Sequence, residues 1–98
     1  MSLELWFHPE AEAELTDAAG FYAQQDPGLD ARFIAAVERA LGQIVRFPEA
    51  APPVRSHLRR KELPSYPFSL IYALTDTQIR VLAVAHHKRR PLYWQGRS

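Results

Sequence analysis

With 98 residues the chain has room for one modest core and no cleft between lobes, so a functional site must lie on a surface. The absence of cysteine excludes disulfides, thiolate metal sites and cysteine nucleophiles together, and it fits a reducing compartment, the cytoplasm by default. The net charge of +1 conceals a division: residues 1–50 carry three basic and nine acidic side chains, residues 51–98 nine basic and two acidic, a balance of −6 against +7. Such a split points to a basic face that meets a polyanion or an acidic partner. No apolar run is long enough to cross a bilayer, and the first residues lack the charged start and apolar stretch of a signal peptide, so neither membrane insertion nor export is expected.

Leu3, Leu5 and Phe7 alternate with Glu4 and Trp6, the period of two of a half-buried strand, which His8-Pro9 ends. Proline suits the first helical position, and Glu10, Glu12 and Glu14 place negative charge where the helix dipole favours it. Ala11, Leu15, Ala18 and Tyr22 then recur at helical spacing as far as Gln25, an apolar stripe from which the glutamates are expected to point away. Asp26-Pro27-Gly28 interrupts the pattern, with Asp26 read as N-cap and Pro27 as first-turn proline of a second helix whose stripe is Leu29, Phe33, Val37, Leu41 and Ile44. Two such helices joined by a short connection form an antiparallel hairpin whose apolar face must cover something else.

The prolines of Phe47 to Pro53 forbid helix, and this stretch reads as a linker inside one domain, 1–98. Three strand-like segments follow, His57–Leu63, Tyr66–Thr75 and Gln78–His86, the last two as a hairpin. The final strand is apolar on both faces and is therefore central. The expected fold is α+β: an N-terminal strand, then an antiparallel helical hairpin packed on one face of a mainly antiparallel four-stranded sheet (β-α-α-β-β-β), and a basic C-terminal tail.

Two stretches carry candidate chemistry. On the third-quarter strand Arg59 and Lys61 face one way and Arg60 the other, either as exposed charges that discourage edge pairing or as contacts to phosphate or carboxylate. The tail gathers His86, His87, Lys88, Arg89, Arg90, Tyr93, Trp94 and Arg97, cations mixed with flat rings, a composition suited to a nucleic acid or a protein hot spot. One of the rings Tyr93 and Trp94 is expected to cap the sheet face, and His86 to be a partly buried imidazole that fixes the turn into the tail. Adjacent histidines point to opposite sides of a strand, so no metal and no cofactor are expected.

In four places the sequence resembles the ParE branch of the ParE/RelE superfamily of small αβ toxins: Ala11 to Tyr22 with Phe21-Tyr22; Pro27-Gly28-Leu29 to Phe33; Arg59 to Tyr72 with Tyr66-Pro67-Phe68; and Ala83-Val84-Ala85-His86 to Arg97. The ending His86, Arg89-Arg90-Pro91, Tyr93-Trp94 and Arg97 is the most specific of these. The resemblance implies a plasmid-stabilisation type of toxin, held inactive by an antitoxin whose C-terminal segment folds on it, that inhibits DNA gyrase by binding. It also implies the tail on the sheet face opposite the helices. The target-binding candidates are Arg59, Arg60, Lys61, His86, Lys88, Arg89, Arg90, Tyr93, Trp94 and Arg97. The alternative, a RelE-like ribosome-dependent mRNA endonuclease, would draw on His86, His87, Lys88, Arg90 and Tyr93 to move protons and offset phosphorane charge. RNA-cutting relatives typically carry an arginine and a tyrosine where this chain has Ser69 and Trp94, which makes cleavage the secondary reading; a non-toxic interaction module of the same fold is the third.

Overall fold

The computed structural model describes residues 3–55 and 57–98. The first strand, β1 (Glu4–Phe7), leads into α1 (Pro9–Gln25) and α2 (Leu29–Arg46), followed by β2 (Pro53–Arg55), β3 (Leu58–Glu62), β4 (Phe68–Leu74) and β5 (Gln78–His86). The five strands lie in the order β1-β5-β4-β3-β2, with β1 parallel to β5 and every other pair antiparallel. Among the described residues no helix is long and apolar enough to cross a membrane.

The helix boundaries follow local chemistry. The His8 Nδ1 accepts from the Glu10 amide at 3.1 Å and so caps α1, whose first residue is the proline that needs no amide partner. The second cap differs from expectation. Gly28 takes the N-cap position in the left-handed region at φ +85°, where a side chain would be strained, and Asp26 instead receives Arg32 at 3.5 Å. The turn closes through the Leu29 amide on the Asp26 carbonyl at 3.1 Å.

The sheet has one strand more than expected. Pro53–Arg55 pairs with β3 at the outer edge, where missing proline amides cost no ladder bond, and the Pro52 carbonyl still accepts from the Arg60 amide at 3.0 Å. Two side chains hold the preceding loop against the sheet: Arg59 Nη1 donates to the carbonyls of Glu49 and Ala51, both at 2.8 Å, and the Tyr72 hydroxyl donates to that of Pro48 at 2.7 Å. Burial pushes the Tyr72 phenol above its ordinary pKa against the opposing pull of Arg59.

Both sheet faces are covered. On the helix side, Phe33, Val37 and Ile44 of α2 and Ala11 and Ala18 of α1 pack on Leu70, Tyr72, Ile79, Val81 and Val84. Alanines at the α1 contact let that helix approach closely. Tyr22, Phe33, Tyr66 and Phe68 meet as an aromatic cluster with ring centres 5.0–6.4 Å apart, so the aromatic pairs that stood out in the sequence close one end of this core. On the other side Ile71, Ala83 and Ala85 lie beneath Trp94, which is 2% exposed. The register step that opposes Ile71 to Ala83 but Tyr72 to Val81 leaves Leu82 as an extra residue, a bulge at the point where β1 runs out alongside β5.

Candidate functional site

Beyond β5 the chain folds back in successive turns over the second sheet face. The His87 amide donates to the Pro67 carbonyl at 2.8 Å, Arg89 to His86 at 3.0 Å, Tyr93 to Arg90 at 3.2 Å and Arg97 to Trp94 at 3.1 Å. Leu92 and Gly96 make two of these turns with positive φ, 62° and 97°. Trp94 is thereby set into the core, as expected of one of the two rings.

Glu14 fastens this tail to α1. Its carboxylate accepts both terminal nitrogens of Arg97 at 3.0 Å each and the Tyr93 hydroxyl at 2.7 Å. It also accepts the Val84 amide at 3.0 Å, while Arg97 Nη1 donates to the Leu82 carbonyl at 2.9 Å. Since β1 stops opposite Val81, the ion pair occupies the place of a further strand residue and satisfies β5 backbone groups next to the bulge. Burial, followed by the hydrogen bond to Glu14, drives the Tyr93 phenol far above its ordinary pKa, so that it is a neutral donor. The expectation that the α1 glutamates point away from the apolar stripe is therefore corrected at Glu14. It lies three residues after Ala11 and four before Ala18, both buried, and that spacing already puts it on the covered face.

The tail and sheet enclose a pocket of about 190 Å³. Arg60 reaches it from β3, Ser69 from β4, and His87, Arg89 and Arg90 from the turn, above the floor of Trp94. Ser69 is 1% exposed and its Oγ lies 2.8 Å from His87 Nε2. The Arg89 guanidinium stacks on Tyr93 at 3.9 Å, which links its orientation to Glu14. His86 is half-buried, its ring edge against Phe68 and its Nδ1 accepting the Lys88 amide at 3.0 Å, a turn-fixing arrangement. Lys88 and Arg90 are exposed.

The ten candidate residues thus separate. Arg60, His86, Arg89, Arg90, Tyr93 and Trp94 line this pocket, and Lys88 lies in the adjoining turn. Arg97 is withdrawn to Glu14. Arg59 and Lys61 belong to the helix side of the sheet, as alternation required, where Lys61 borders an apolar hollow of about 360 Å³ with Ile44, Phe47 and Tyr72. Ser69 and Glu14 are the members that sequence reasoning did not place in the site. Ser69 entered it only as the residue standing where an arginine is usual, although its period-two position facing Ala85 could have assigned it to the tail side.

A helical hairpin on one sheet face and a basic, folded-back tail on the other define a small α+β domain that presents exposed cations, Arg60, Lys88 and Arg90 among them, on the tail side. The model of the ParE toxin of the type II toxin–antitoxin system parDE matches residues 5–91, and the chain belongs to that family. It is similar to Toxin ParE2 of two Mycobacterium tuberculosis strains, CDC 1551 / Oshkosh and H37Rv, at 29% identity over 92 residues, covering 93% of this chain and 88% of each relative. A solved chain of the chromosomal ParDE system from P. aeruginosa superposes with a TM-score of 0.76 at 16% identity, over 87% of this chain and 96% of that one, which establishes the shared fold. The protein is accordingly a ParE-type toxin of a type II toxin–antitoxin system.

Proposed function

We propose that this toxin inhibits DNA gyrase by binding it in the cytoplasm, and that a cognate antitoxin neutralises it by folding its C-terminal segment over the toxin surface. The observation that carries binding over cleavage is the engagement of the tail's proton-transfer candidates. The Tyr93 hydroxyl is committed to Glu14, and His86 Nδ1 to the Lys88 amide. A ribonuclease built here would have to break the contact that holds its own tail in place before Tyr93 could reach a substrate. The cations are differently disposed: Arg60, Lys88 and Arg90 are exposed, as an electrostatically steered interface requires. The acidic first half and basic second half fit a partner that covers the basic side with acidic residues.

Purified toxin added to gyrase is expected to stop supercoiling of a relaxed plasmid, and the triple variant R60A/K88A/R90A to lose most of that effect while keeping the circular dichroism of the parent. If the parent protein leaves supercoiling intact and instead cleaves ribosome-bound mRNA, the reading fails. Unimpaired growth on expression without any antitoxin would identify a non-toxic interaction module.

A further inference from the structure

We propose that the pocket between the β3–β4 surface and the C-terminal turn is a receptor for a phosphoryl oxyanion, held by Arg60 and Arg90, two of the cations that the gyrase reading also uses. Three guanidinium-bearing residues, Arg60, Arg89 and Arg90, line it together with His87 and Ser69, and no carboxylate is among the lining residues. The nearest acid by register, Glu62, pairs with Ser69 across the β3–β4 ladder but is exposed and outside the lining.

The ion pairs of the described residues use other cations, Arg32 with Asp26 and Arg97 with Glu10 and Glu14. Within the pocket, Arg89 leans on the Tyr93 ring, whereas among the described residues the Arg60 and Arg90 side chains have neither an acceptor nor a ring partner. Arg89 also borders Glu14 and Asp17, but Arg60 and Arg90 bring like charge to a pocket whose lining holds no carboxylate, and the tail's fold keeps them there: the Arg90 carbonyl anchors the turn by accepting the Tyr93 amide, and Trp94 below is locked in the core. An oxyanion offsets that charge, and a tetrahedral phosphoryl group offers several acceptor oxygens to guanidinium forks carried by two elements, β3 and the C-terminal turn.

The buried polar pair gives the pocket a neutral end. Ser69 Oγ, 1% exposed and 2.8 Å from His87 Nε2, can receive the imidazole N–H and turn its own hydrogen toward the pocket, adding a hydroxyl donor to the arginine forks. The volume of about 190 Å³ accommodates one phosphoryl group with part of its substituent. Leu92 and Pro91 add apolar surface to the lining, against which that substituent can pack. The group could arrive as free phosphate or as the backbone of an oligonucleotide, and the chemistry recognised is the same.

The experiment is a titration of the isotopically labelled full chain with sodium phosphate, set against sodium chloride of matched ionic strength, following the arginine Nε–Hε and histidine ring resonances by NMR. The expected result is a saturable shift at Arg60, Arg90 and His87 that chloride does not reproduce. R60A and R90A should each weaken it by about tenfold, the loss of one charge-assisted contact. R39A, which removes an exposed arginine of α2 outside the pocket lining, should leave it unchanged. A short single-stranded oligonucleotide that shifts the same resonances at lower concentration identifies the backbone as the source; phosphate binding that the oligonucleotide does not displace identifies a small phosphorylated ligand. Shifts equal in chloride, or lost equally in R39A, would overturn the proposal by reducing it to diffuse screening. No gyrase enters this measurement, so its failure leaves the gyrase reading standing, and failure of supercoiling inhibition leaves the oxyanion site standing.

Discussion

Glu14 is a single carboxylate on which helix, sheet and tail converge. Its bidentate partner Arg97 is 12% exposed at the side chain and Glu14 itself 15%. Removing one member of such a pair strands the other in a poorly solvated place, at a cost of about 3 kcal/mol. Glu14→Ala is expected to lower stability by that order, read from urea unfolding, and in a W6F background to raise the solvent exposure of Trp94 seen by its fluorescence. Tyr93 gives the same cluster a pH signature. Its folded-state pKa is raised above the unfolded phenol value of 10.0, so its contribution is complete below that pH and is lost as pH climbs through the folded value. Tyr22 and Tyr72 are raised as well and add to the slope. Stability should therefore fall above about pH 10, less steeply in Tyr93→Phe than in the parent, and equal slopes in thermal melts between pH 9 and about 11 would count against the Glu14 contact. The carboxylate was legible only as one of several glutamates in the opening turns, because dipole logic explains all of them alike. The Ala11 and Ala18 spacing singles it out once the partner groups, more than sixty residues away in sequence, are known.

The elements themselves were read closely where period and punctuation agree. Both α1 bounds and both β5 bounds fall where the apolar stripe, His8-Pro9, Gln25 and the run 78–86 put them. Period and punctuation do not reach a short segment defined by its partner: β2 has three residues, two prolines stand at its entrance, and only its pairing with β3 makes it a strand. The N-cap of α2 is likewise undecided by sequence, because Asp-Pro-Gly offers both a side-chain cap and a left-handed glycine, and the backbone takes the second. Two glycines should consequently respond with opposite sign. Gly28→Ala forces a Cβ into φ +85° and is expected to destabilise by about 1 kcal/mol. Gly20→Ala, at an exposed interior position of α1 with nothing near the added methyl, should stabilise by about 0.5–1 kcal/mol. Thermal melts of the two single variants check the pair.

At the scale of the molecule, the tail has two duties that a functional screen would confuse. Its cations face outward at the pocket, while Trp94 and Arg97 close the second core and neutralise Glu14. A chain of 98 residues has few kcal/mol in reserve, about 5–15 for domains in general. Trp94→Ala opens a cavity beneath the tail at about 3–5 kcal/mol, and deleting residues 91–98 would in addition uncover Ile71, Ala83 and Ala85 and leave Glu14 without its counter-ion. The expectation is that both changes abolish toxicity by loss of the fold, seen as lost cooperativity in denaturant, whereas R60A/R90A abolishes only binding and keeps a sharp transition. A tail-deleted chain that unfolds as cooperatively as the parent would show instead that the helix-side core stands alone and that the tail is an appendage of function.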